Sequence, residues 1–113
     1  MDKVKEFLRE KIDTIKKEYR QKLLRLPEWQ INSLLDQKKK YSTIDEKILF
    51  LEEKYLMKDI FYSHLLADLE RIKKGKRQFT ILKIDDRALE SHGYTDKQKE
   101  DVYTFLNELK EII

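Results

Sequence analysis

Between Ile44 and Lys74 the chain contains neither Gly nor Pro, and apolar residues recur at Ile48, Leu51, Tyr55, Tyr62, Leu65, Leu69 and Ile72. Steps of three, four and seven are the repeat of a helix face. A second line, Leu49, Leu56, Met57, Ile60 and Phe61, lies beside the first. The combined stripe is wider than one neighbouring helix can cover, so such a helix is buried or meets a partner. Unbroken, it would run roughly 45 Å. The spacing thus predicts one long central helix, opened by Ser42 or Thr43. Thr43 followed by Glu46 fits a capping box. Gly75, preceded by Lys73 and Lys74, supplies the stop.

The segments before it read as helices too. Val4, Leu8, Ile12, Ile15, Tyr19, Leu23 and Leu26 form a narrow stripe over a first helix from Asp2 to Arg25, with Asp2 as its cap. Pro27 ends that helix and suits the first turn of the next. A short helix from Glu28 to Lys40 is predicted, with Trp29, Leu34 and Leu35 inward and Lys38-Lys39-Lys40 at its carbonyl pole.

After Gly75 the texture changes. Gln78 to Ile84 is the one strongly β-prone run, and a strand needs partners. Asp101 to Thr104 or another chain could supply one. Asp85-Asp86 and Ser91-His92-Gly93 read as turns. Thr95 with Gln98 is a second capping box, opening a helix from Asp96 to Ile112 with Val102, Phe105, Leu106, Leu109 and Ile112 inward. The expected fold class is mainly α. Residues 1–75 form an antiparallel helical bundle with one long central helix. Residues 76–113 form a small α+β C-terminal domain, one strand or hairpin plus a helix.

Composition narrows the function. Charged residues are 42% of the 113, mostly interleaved Lys and Glu, which suits a helix-rich, heat-stable protein. The net charge of +3 is too mild to imply a strong nucleic-acid field. It is unevenly spread. Residues 1–40 carry twelve Lys/Arg against seven Asp/Glu, and residues 41–113 carry thirteen against fifteen. The absence of cysteine excludes disulfides and thiolate metal sites. No run of about eighteen apolar residues and no signal peptide is visible, so a soluble cytoplasmic protein is expected, with no membrane contact.

Candidate chemistry is thin. His64 and Asp68 have the i, i+4 spacing of a ligand pair with Asp59 nearby, but a stable metal site needs three or four converging ligands. A polar pair on the wet side of the helix explains them, and no metal is assigned. Ser91 and His92 are adjacent, so their side chains point apart and make no triad. Two glycines eighteen residues apart cannot form a phosphate loop. No catalytic residue and no cofactor is assigned. Arg71, Lys73, Lys74, Lys76 and Arg77, followed by Phe79, are the best nucleic-acid candidates, because cations neutralise phosphates and an aromatic can stack on a base. The stronger inference is a protein partner, covering Leu49, Leu56, Ile60, Phe61, Phe79 and Ile81.

Two places resemble the small subunits of the GINS replication complex. Leu24-Arg25-Leu26-Pro27-Glu28-Trp29 follows a charged helix and precedes a short one. A Lys-rich loop and a long apolar helix ending in Arg71-Ile72-Lys73-Lys74 come next, in the order of the family's helical domain. Phe79 to Ile84, Gly93-Tyr94-Thr95, then Asp101-Val102-Tyr103 and Leu106 are similar to its small β-rich domain. Glu100 stands at the family's glycine, Asn107 at its proline, and the strand-closing Pro and Phe are missing after Ile84. The resemblance implies a helical-domain-first archaeal subunit, associated with the nucleoid. It would form a tetramer with a second GINS-type subunit and scaffold the MCM helicase and a RecJ-like protein, touching DNA indirectly if at all. The alternative is a small helical nucleic-acid-binding or regulatory protein using the basic cluster.

Overall fold

A computed structural model of the chain describes residues 3–113. The expected cap Asp2 lies outside them. Six α-helices follow in order: α1 (Lys3–Leu24), α2 (Glu28–Leu34), α3 (Ile44–Lys54), α4 (Ile60–Lys73), α5 (Asp86–Ser91) and α6 (Asp96–Ile112). Single turns of 3-10 helix lie at Leu56–Lys58 and Thr80–Lys83. The protein is mainly helical, and among the described residues there is no strand.

The single long helix expected from Ile44 to Lys74 is instead two helices. Tyr55 closes α3, a 3-10 turn follows, and Asp59 turns extended (φ −67°, ψ 129°) to cap α4. Its carboxylate accepts the Tyr62 N–H at 2.9 Å. An N-cap aspartate starts a helix without any Gly or Pro before it. The bend brings Leu56 and Phe61 into the core with Leu65, Leu69 and Ile72.

The expected β-prone run is helical where it is regular at all. The buried carboxylate of Asp68 explains why. It accepts the Thr80 N–H at 3.0 Å, the Thr80 hydroxyl at 2.8 Å and the Ile81 N–H at 2.9 Å. Donors that a strand would give to a neighbour go to this side chain, and the chain curls into one turn around it. The α+β appendage is therefore replaced by a helical one. Residues 101–104 belong to α6, opened by the reciprocal capping box of Thr95 and Gln98.

Most of the expected stripes of α1 and α6 are buried, but Ile15, Tyr19 and Leu26 are only partly so, and Ile112, expected inward, is exposed at the C-terminal end of α6. Val4, Leu8 and Ile12 meet Val102, Phe105, Leu106 and Leu109, with Ile81, Ile84 and Leu89 closing the same core. This core draws on residues on both sides of Gly75. A second, smaller core holds Leu23, Ile31, Ile48 and Leu51. Tyr19 packs against both. The radius of gyration is 15.9 Å, against about 13 Å for a compact chain of this length, so the molecule is elongated. No helix among the described residues is long and apolar enough to cross a membrane.

Helix α2 stops at Leu34, earlier than Lys40; Ile31 is its fully buried residue, and Leu34 and Leu35 pack partly buried against the same core, as expected. Trp29, expected inside, is 70% exposed. Lys38–Lys40 lie in the loop rather than at a helix pole. Both glycines end helices with positive φ, +80° at Gly75 and +78° at Gly93, where a side chain would be strained.

Candidate functional site

Large apolar side chains left in water are concentrated in one part of the molecule. Leu24, Trp29, Ile44, Leu49, Tyr55 and Met57 are exposed, and among the described residues the remaining exposed large hydrophobics are Ile112 and Ile113 at the C-terminus. All six of the first group belong to the end of α1, α2, α3 and the turn after it. This lobe has a smaller core of Leu23, Ile31, Ile48 and Leu51, with Tyr19, Leu26, Leu34, Leu35 and Phe50 packed partly buried against it. Three short helical segments cannot cover every apolar residue they carry, so some remain outside.

A groove of about 390 Å³ opens on this lobe between the end of α1, α2 and the start of α3. Leu24, Leu26, Ile31 and Ile44 line it with Tyr41. Among the described residues the buried Tyr41 hydroxyl has no hydrogen-bond partner, a deficit of about 1–3 kcal/mol. Tyr41 packs on Phe50 at 5.5 Å between ring centres. Thr43 caps α3 by accepting the Glu46 N–H, while the Glu46 carboxylate takes the backbone N–H of Ser42 at 2.8 Å and its hydroxyl at 2.9 Å. These bonds hold the Glu46 carboxyl below its ordinary value. Arg20 and Asp45 pair across α1 and α3.

The six expected partner-binding residues are divided by the fold. Leu49 is exposed; Leu56, Phe61 and Ile81 are inside the main core; Ile60 and Phe79 are half-buried against it. The bend at Tyr55–Asp59 splits the second apolar line: Leu56 and Phe61 turn inward, while Leu49 and Met57 stay exposed. The surface group that sequence reasoning missed is Leu24, Trp29 and Ile44. The signal available was the shortness of α2, whose inward positions are Ile31 and Leu34, leaving Trp29 outside.

The basic cluster is similarly divided. Arg71 donates to Asp68 at 2.7 Å, and Lys73 to Glu70 at 3.2 Å. Lys74 is the C-cap of α4, and Lys76 and Arg77 are exposed in the loop beyond it. Phe79 packs against the core, so its ring is not free to stack on a base.

Asp68 is not on a wet face; it is wholly buried. Thr80 Oγ1 gives its proton to Asp68 and therefore accepts from His64 Nδ1 at 3.0 Å and from Arg71 at 3.3 Å. His64 must then carry its proton on Nδ1. The group clips the 3-10 turn to α4. Ser91 donates to the Ala88 carbonyl at 2.8 Å, and His92 is the exposed C-cap of α5. Asp85, expected in a turn, caps α5 by accepting the Ala88 N–H at 2.8 Å. Among the described residues, no group of three or more His, Cys, Asp or Glu could hold a metal ion.

Lys99 is buried between α5 and α6. Its ammonium meets Glu90 at 2.8 Å and Asp86 and Asp96 at 3.4 Å each. The Glu90 hydrogen bond raises its pKa above the ordinary lysine value. Tyr103 donates to Asp86 at 2.7 Å, which holds that carboxyl below its ordinary value. This arrangement ties two helices together. Comparison with protein families, with curated proteins and with solved structures gives no match.

Proposed function

We propose that this chain is a non-catalytic subunit of a larger protein assembly, of the GINS type that its helical half resembles, and that its partner covers the lobe built from α2 and α3. The observation that carries the reading is the exposure of Leu24, Trp29, Ile44 and Leu49 on the lobe with the smaller core. Large apolar side chains left exposed on one lobe favour an interaction surface, and Trp is among the residues enriched at interface hot spots. The charged α1, the short α2 after Pro27 and the Lys-rich loop support the GINS setting. The C-terminal half lends it less, since helix stands where the family has strands. In that setting the chain scaffolds a replicative helicase and its partner.

The rival role, nucleic-acid binding through Arg71 to Arg77, has weaker support, because two of its cations are engaged by carboxylates and Phe79 is packed inward. The test is co-expression with a GINS-type subunit from the same source, followed by native mass spectrometry. A tetramer that L24S/I44S abolishes is expected. A chain that stays monomeric, monodisperse and unbound alongside that subunit overturns the reading.

A further inference from the structure

The apolar groove on the α2–α3 lobe has a polar neighbour. A hollow of about 350 Å³ lies between the end of α2, the loop after it and α3. Tyr41 and Lys47 line both, so these two side chains stand at the boundary. The first groove is walled by Leu24, Leu26, Ile31 and Ile44, with Glu28 as its carboxylate. The second brings Lys39 together with Lys47. Neither ammonium has a carboxylate partner among the described residues. Lys47 donates to the Asn32 side-chain oxygen at 3.1 Å, and Lys39 lies 5.4 Å from the Phe50 ring centre. Asp36, the carboxylate in the second hollow, accepts the Lys38 N–H at 3.0 Å. The charge around them is one-sided. Residues 20–58 hold nine Lys/Arg against six Asp/Glu, and the rest of the chain holds sixteen of each, so the whole net charge of +3 sits on this segment. Of those nine cations only Arg20 is ion-paired among the described residues.

We propose that the partner covering this lobe docks here through an acidic segment that carries a large apolar side chain. The apolar side chain enters the first groove. A neighbouring carboxylate meets Lys39 and Lys47 and accepts a hydrogen bond from the Tyr41 hydroxyl. Its premise is that this lobe is a subunit interface, as proposed above; what it adds is the chemistry of the partner. Two independent features favour such an occupant. The first is charge complementarity, since unmatched cations beside an apolar groove attract an acidic segment and repel a basic one. The second is Tyr41. Buried hydroxyls ordinarily have a partner, and among the described residues this one has none. An acceptor arriving at the boundary of the two hollows supplies what the chain alone does not. The hydroxyl is covered in the free chain, so the Tyr41 ring shifts on its Phe50 support as the segment enters.

The test is fluorescence anisotropy at low ionic strength with the fluorescein-labelled peptide Gly-Ser-Glu-Leu-Asp-Glu-Ser-Gly. Its counterparts carry Gln-Leu-Asn-Gln or Glu-Ser-Asp-Glu at the centre. The parent peptide should bind, more weakly as salt is added, and each counterpart about tenfold less tightly or worse. K39Q/K47Q should weaken binding about threefold or more, and the control K97Q/K110Q on α6 should not. Y41F should also weaken it, while its urea midpoint is no lower than that of the native chain, because the free hydroxyl has no hydrogen bond to lose. A merely structural Tyr41 would lower the midpoint instead. Amide shifts in the unmodified protein should centre on residues 24–31 and 39–47, a readout independent of whether the variants fold. No binding of the parent peptide, equal binding of the uncharged counterpart, equal weakening by both lysine pairs, or shifts centred elsewhere overturns the proposal. So does self-association that K39Q/K47Q abolishes, which would make the occupant a second copy of this chain. A tetramer that forms although the peptide fails leaves the subunit reading standing; a peptide that binds although no tetramer forms overturns only that reading.

Discussion

The Tyr94 hydroxyl lies 2.7 Å from each carboxylate oxygen of Asp59, 35 residues earlier in the chain. Asp59 is also the cap of α4, so one carboxylate both starts that helix and anchors the turn between α5 and α6. Burial, then the Asp59 hydrogen bond, push the Tyr94 hydroxyl well above the ordinary tyrosine range. It stays a neutral donor at any ordinary pH. Replacing Tyr94 with Phe removes the donor and keeps the ring. A loss of about 1.5–3 kcal/mol is expected, as for a hydrogen bond to a charged group, read from the urea midpoint. Asp59→Ala loses the helix cap as well and should cost about 1 kcal/mol more.

Asp68→Ala should be the most damaging single polar change. It strands two backbone N–H groups and leaves Arg71 without its carboxylate. Each buried donor left unsatisfied costs about 1–3 kcal/mol, while Arg71, 34% exposed, can turn to water. Hydrogen exchange should show the Thr80–Lys83 turn losing protection first.

Leu49 and Leu51 form a paired test of burial on α3. Leu51 has no exposed surface, and Leu49 is 55% exposed. Leu51→Ala should cost about 2–5 kcal/mol. Leu49→Ala should stay within about 0.5 kcal/mol in the isolated chain, a contrast that thermal melts can read.

The contact of α5 with α6 should depend on pH at both ends. The carboxyl of Asp86 is held below its ordinary value of 3.8, first by Tyr103. Its contribution is present above 3.8 and is lost as the pH falls through the lower folded value. The ammonium of Lys99 is held above its ordinary 10.5, first by Glu90. Its contribution is complete below 10.5 and is lost as the pH rises through the higher folded value. Amide protection in Asp86–Ser91 should fall at each end, and Lys99→Met should remove the alkaline fall.

Local signals identified most of the helices, and long-range polar contacts decided where local signals failed. The stripes of α1 and α6, the Thr43 cap and the Thr95–Gln98 box were legible because each is written within a few residues. The break after Tyr55 was not. Asp59 in an unbroken apolar repeat reads as one more surface residue, and its role depends on the bend and on Tyr94, far along the chain. The β-prone run around Ile81 was misread for a related reason: its backbone donors found Asp68 instead of a strand. The candidate surface was legible only in part, since Leu49 could be assigned from spacing while Leu24, Trp29 and Ile44 stand out only once α2 is seen to stop at Leu34.

Helix α1 is gripped at both ends by different neighbours. Val4, Leu8 and Ile12 belong to one hydrophobic cluster and Leu23 to the other, with Leu8 and Leu23 about 22 Å apart along the axis. The lesser cluster thus hangs on the final turns of a strut whose footing is elsewhere. Unwinding those turns would dismantle it, and it lasts only as long as the strut stays wound.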